Sequence, residues 1–190
     1  MPTHTDSRGF TLIEMIVAVG LFAVVMVICV STLFALVNAN RKAQALQSVM
    51  NNLNITLDGM ARAIREGSTY NCGSSAPFTG TRDCPNGDIE FNFEHYGGDT
   101  SNFNDQWFYR FDAVLHQIQK SEDGGVTFFP VTSPEITVDD VKFFVVGTTR
   151  GDTVQPKVVI VVKGTAAANN AKTKSTFHIQ AAATQRLIDL

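Results

Sequence analysis

Three regimes of apolar spacing follow one another along the chain. From Met15 to Val37 no charged residue occurs and almost every side chain is apolar. This stretch is about 23 residues, or roughly 35 Å as a helix, enough to cross a hydrocarbon core. Ser31 and Thr32 are its main polar residues, and both hydroxyls can bond back to carbonyls of the preceding turn. The pattern then narrows. Leu46, Val49, Leu53, Leu57, Met60 and Ile64 recur at steps of three and four, one stripe of an amphipathic helix. Arg62 and Arg65 fall in its last turn, where cations suit the helix dipole, and Gly67 is a natural stop. One continuous helix from Phe10 to Glu66 would be roughly 85 Å long. Gly59 weakens its second half by about 1 kcal/mol relative to Ala.

From Ser68 onward the period shortens to two. Ile89, Phe91 and Phe93 alternate with polar residues. Further strands are predicted at Trp107–Phe111, Val114–Gln119, Val126–Val131, Val141–Val146, Lys157–Lys163 and Ser175–Ala181, joined by turn-rich segments. The expected fold is α+β: a long N-terminal helix packed through its amphipathic half on an antiparallel β-sheet. The expected segments are an apolar helix over 10–37, an amphipathic helix over 38–67 and a β-rich domain over 68–190.

Composition changes this picture in two places. The net charge of −3 over 190 residues gives no basic footprint, so no nucleic acid contact is indicated. Of the three cysteines, Cys29 lies in the apolar run, where a small apolar filler is the better reading than a reactive group. Cys72 and Cys84 lie in a polar Gly/Ser/Pro-rich stretch, and such a pair fits an oxidising, extracytoplasmic compartment. A disulfide, a thiol nucleophile and a metal pair are the alternatives. With no CxxC or CxxH spacing, a disulfide is favoured.

The apolar run is too long for a secretory signal peptide, and no A-x-A-like site follows it. An ordinary signal anchor would leave Glu14 unexplained. This carboxylate sits just inside the apolar boundary, where an ionisable group is costly and points to function.

Gly9-Phe10-Thr11-Leu12-Ile13-Glu14, within RGFTLIEMIVAVGLF, resembles the N-terminal motif of type IV prepilins and pseudopilins. The resemblance implies a leader, Met1 to Gly9, removed by a membrane prepilin peptidase. It implies methylation of the new amine on Phe10, and Glu14 as the fifth residue of the mature chain, acting in assembly. Many major pilins carry a Pro where this chain has Ser31. The closing segments DGGVTFFPVTSPEITVDDVKFFVVG, QPKVVIVVKGTA and KSTFHIQAAATQR are similar to those of minor pilins and J-type minor pseudopilins. The implied role is a structural, minor subunit of a type IV pilus, competence pilus or type II secretion pseudopilus. Its implied partners are other pilin or pseudopilin subunits, the prepilin peptidase, an inner-membrane assembly platform and, before assembly, membrane lipid. The alternative is a membrane-tethered extracytoplasmic enzyme or binding domain on a signal anchor.

Other candidates are weaker. Asp99 to Asp105 is rich in oxygen ligands but lacks an EF-hand pattern, and a solvated loop is favoured. His95, His116 and His178 are the bases outside the leader, with no acidic partner at fixed spacing. No G-x-S-x-G, H-E-x-x-H or phosphate loop occurs. Neither enzymatic activity, nor a metal, nor a cofactor is expected.

Overall fold

A long stretch free of proline, apolar first and amphipathic afterwards, forms one long helix, α1, from Leu12 to Glu66. The computed structural model describes residues 9–73, 80–166 and 174–186. The chain falls into two compact units, the first ending at Arg41 and the second beginning at Lys42, so α1 runs from one into the other. In the first unit the large apolar side chains from Leu12 to Val37 are exposed around the whole circumference. Ser31 Oγ and Thr32 Oγ1 donate to the carbonyls of Ile28 and Cys29, both at 2.8 Å, so neither hydroxyl is left unbonded on the apolar surface.

In the second unit the predicted stripe faces inward. Val49, Leu53, Leu57, Met60 and Ile64 are buried, with Leu46 packed at the margin. The helix ends where β-structure crowds it. A Cβ at Gly67 would meet the Phe93 ring and the Glu94 carbonyl, so only glycine fits. The last carbonyls find donors: Ala63 and Ile64 from Gly67 N–H, Ile64 also from the Tyr70 hydroxyl, and Arg65 from Arg186 N–H.

Among the described residues nine strands follow: β1 (Ser68–Cys72), β2 (Cys84–Asp88), β3 (Glu90–Glu94), β4 (Trp107–Asp112), β5 (Gln117–Ser121), β6 (Phe129–Pro130), β7 (Ile136–Val146), β8 (Lys157–Ala166) and β9 (Ser175–Thr184). They form two antiparallel sheets, not the single sheet expected, in the orders β1-β3-β4-β5-β6 and β2-β7-β8-β9. In the second sheet Val141, Phe143 and Val145 pair with Val162, Ile160 and Val158 on the buried face. A bulge between Val138 and Asp140 shifts the phase by one residue, which keeps Ile136 and Val138 on that same face. The two sheets and the helix stripe share one core, in which Tyr70, Phe91, Phe93 and Phe143 stack or meet edge-on.

Several strand expectations change. Val114–Gln119 is a turn up to His116, and its strand begins at Gln117. Asp112 Oδ1 accepts the N–H groups of Val114 and Leu115 and so curls the chain, and His116 takes a left-handed φ of 52°. Val126–Val131 yields only Phe129–Pro130, because Asp123 captures the Val126 and Thr127 amides and Pro130 has no N–H for a ladder. The alternation at Ile89–Phe93 predicts one wet face. In fact Asn92 and Glu94 are as buried as Phe91 and Phe93, because a loop covers the second face. Strands β1 and β2 were not predicted. The sequence CPNGD has no apolar alternation, and its strand geometry comes from pairing with β7.

The stripe assignment predicts a contrast along one helix. Leu53→Ala, at a fully buried site, should cost about 2–5 kcal/mol in urea unfolding of the full chain. Ile55→Ala, at 73% exposure, should stay within about 0.5 kcal/mol. Equal losses at both positions would mean that the stripe packs in another register.

Candidate functional site

The N-terminal end of α1 is built by its cap. Thr11 precedes the first helical residue, its carbonyl accepts Met15 N–H at 3.2 Å, and its hydroxyl accepts Glu14 N–H at 3.4 Å. Thr11-Leu12-Ile13-Glu14 is therefore an N-cap threonine followed by an acid three residues on, the spacing of a capping box. This local role of Glu14 was legible in the sequence as T-x-x-E and was missed there. The negative charge also lies in the first turn, where the helix dipole favours it. Gly9 and Phe10 precede the cap and are exposed, Phe10 at 77%. Residues 1–8 of the expected leader lie outside the described residues. The structure thus brings Gly9, Phe10 and Glu14 to one helix end, with the apolar cylinder immediately after them.

Among the described residues, α1 is a helix long and apolar enough to cross a membrane, and none of its most apolar window is buried. Cys29 is a free, exposed cysteine on that surface.

The other predicted pair lies far along the chain. Cys72 ends β1, Cys84 begins β2, and the two are joined as a disulfide with a Cα–Cα distance of 5.7 Å. Each strand lies at the edge of a different sheet, so the bond staples the two sheets together. Backbone bonds from Cys72 N–H to the Arg82 carbonyl (3.1 Å) and from Arg82 N–H to the Tyr70 carbonyl (3.0 Å) align the closing segment. Both sulfur atoms lie against the Phe143 carbonyl oxygen in the middle of the second sheet.

The histidines are dispersed. His95 stacks flat on Trp107 with centroids 5.3 Å apart, and Lys120 Nζ lies 3.2 Å above the same ring. His116 joins the sheets at a turn, its carbonyl accepting Val138 N–H at 2.9 Å. His178 is exposed on the outer face of β9, opposite Lys163. None of the three is hydrogen-bonded to a serine, threonine or cysteine side chain in the described structure. In the Asp99–Asp105 loop, Asp99 Oδ1 accepts Ser101 N–H and Asn102 Oδ1 accepts Asn104 N–H, so those oxygens shape turns.

Residues 5–30 match the family model described as the prokaryotic N-terminal methylation motif, the signature of type IV pilins and pseudopilins. No curated protein and no solved structure matches the chain. The motif and the apolar helix together support a type IV pilin-like, membrane-anchored subunit. Proteins with this motif are structural, and the motif implies processing by a prepilin peptidase and assembly with other pilins.

The staple should matter for stability. In the chain-entropy picture, closing a loop of this size is worth about 3 kcal/mol. Replacing Cys72 and Cys84 together by Ala should lower the urea-unfolding free energy by about that amount, and non-reducing digests of the wild-type protein from its own cells should contain the linked peptide. Two freely alkylated thiols in that protein would contradict the bond.

Proposed function

We propose that this chain is a prepilin whose mature form is a minor structural subunit of a type IV pilus, competence pilus or type II secretion pseudopilus. The observation that carries the reading is the apolar surface of α1 from Leu12 to Val37, exposed all round and headed by a single carboxylate, Glu14. Lipid covers such a surface before assembly, and the equivalent helices of other subunits cover it afterwards. Prepilin peptidase cuts between Gly9 and Phe10 and methylates the Phe10 amine, and an inner-membrane platform extracts the subunit into the filament. The disulfide supports an extracytoplasmic place for the second unit, since such bonds persist in oxidising compartments.

In this reading Glu14 has two tasks. In the single chain it belongs to the helix cap. In the filament it receives the protonated Phe10 amine of a staggered neighbour. Apolar surroundings strengthen that attraction, although both charges must be desolvated to form it. Cleavage is a precondition, because the Phe10 amine does not exist until the Gly9–Phe10 bond is broken.

Two measurements test the proposal. Mass spectrometry of protein from cells with an active peptidase should find an N-methylated Phe10 terminus; an intact Met1 or Pro2 terminus would leave an ordinary signal anchor as the better account. Glu14→Leu should insert in membrane at least as well as wild type, because it removes a carboxylate from the membrane-spanning run. Its incorporation into sheared filaments, in competition with wild type, should fall roughly tenfold to hundredfold, the range set by a charged hydrogen bond worth about 1.5–3 kcal/mol. Undiminished incorporation would remove Glu14 from assembly.

A further inference from the structure

A cleft beside the last turns of α1 is held open by a glycine that packing does not require. Gly59 lies inside the helix, where glycine is unfavourable, and a Cβ built on it meets no atom within 4 Å. Gly67 is the contrast, since a Cβ there collides with β3. The bare backbone at Gly59 floors a cleft of about 290 Å³, which lies wholly within the second unit. Ala63, one turn further on, continues the floor and keeps it low.

The other side of the cleft is aromatic, lined by His95, Tyr96 and Trp107. The Trp107 ring is already covered by the His95 ring stacked on it and by Lys120 above it, so it stands as a fixed wall. Tyr96 stacks on no ring among the described residues and is 76% exposed, which leaves its ring face and its hydroxyl open. The rim is polar. Arg62 and Glu66 line it from α1, and among the described residues neither side chain has an ion-pair or hydrogen-bond partner, although they stand one turn apart.

This pair narrows the chemistry of an occupant. A guanidinium only donates hydrogen bonds and a carboxylate only accepts them. An anion is repelled by Glu66 and a cation by Arg62. An apolar side chain from a protein partner would seal both charges from water without pairing either, which is strongly unfavourable. A neutral ring bearing hydroxyls satisfies both, because each hydroxyl donates and accepts. Its C–H groups also suit the electron-rich face of a tyrosine ring. The cleft is at the small end for ligand sites and so takes a single ring rather than a long chain. We propose that it binds a sugar ring, laid over Gly59 against Tyr96, with hydroxyls bonded to Arg62 and Glu66.

The chain has one tryptophan, and it lines the cleft, so its fluorescence reports occupancy. The full chain, in a detergent without a sugar headgroup, is titrated with the methyl glycosides of glucose, galactose, mannose and N-acetylglucosamine. At least one should give a saturable change with a Kd on the order of 1 mM. Gly59→Ala adds one methyl to the floor. It should raise Tm by roughly 2–4 °C and weaken the sugar about tenfold or more, whereas a glycine of purely structural effect would give the first change without the second. Arg62→Met keeps the stem and removes the donors, and it should weaken the sugar about tenfold or more with Tm unchanged. The proposal is overturned if no glycoside changes the fluorescence at about a hundredfold above that Kd, or if Gly59→Ala or Arg62→Met binds as tightly as wild type. It is overturned equally if N-acetyl-phenylalaninamide saturates the cleft and the glycosides do not, which would assign it to an aromatic side chain of a protein partner.

Discussion

Water rejects a cylinder of apolar side chains, and that constraint governs the N-terminal unit. From Leu12 to Val37 the helix offers no polar face at which it could meet solvent, and its hydroxyls at Ser31 and Thr32 are turned back to its own carbonyls. At about 25 cal/mol per Å² of apolar area, a surface of this extent is strongly driven to find cover. Lipid and the packed helices of other subunits are both adequate covers, and a filament subunit uses each in turn. Exchange between them is nearly neutral in hydrophobic terms, because acyl chains are as apolar as leucine. In the proposed assembly the direction of transfer would need a polar determinant, and Glu14, in the first turn of the helix, is the acid proposed for it.

The second unit answers a different problem, that of giving the amphipathic half of α1 a core from its own chain. It does so with two sheets that close on the stripe from Val49 to Ile64. Their edges are bound to each other by the Cys72–Cys84 bond, by backbone pairing around Arg82 and by the turn at His116. Gly67 is the steric hinge of the arrangement. It lets β3 pass so close to the helix end that the Phe93 ring occupies the space of a side chain.

At β3 the first sheet is buried on both faces, and the faces differ in chemistry. One is aromatic, with Tyr70, Phe91, Phe93 and Tyr109 in the core. The other carries Asn92, Glu94 and Gln106 under a loop. A buried polar layer of this kind stabilises only when every member has a partner.

Much of the architecture was legible in the chain because it depends on short-range periodicity. The charge-free run, the stripe at steps of three and four, and the Gly-Phe-x-x-x-Glu spacing are local patterns, and a helix turns local spacing directly into a face. The long strands β7, β8 and β9 were visible for the same reason, as Val- and Ile-rich alternation. What lay beyond the sequence depends on contacts between distant segments. CPNGD becomes a strand because β7 and a disulfide hold it, and the turn at Val114 forms because Asp112 takes two amides that a strand would have used. Glu94 looked like the outward member of an alternating strand. Only the folding of residues 97–105 over that strand removed it from water, and no period within five residues of β3 records what a loop will later cover.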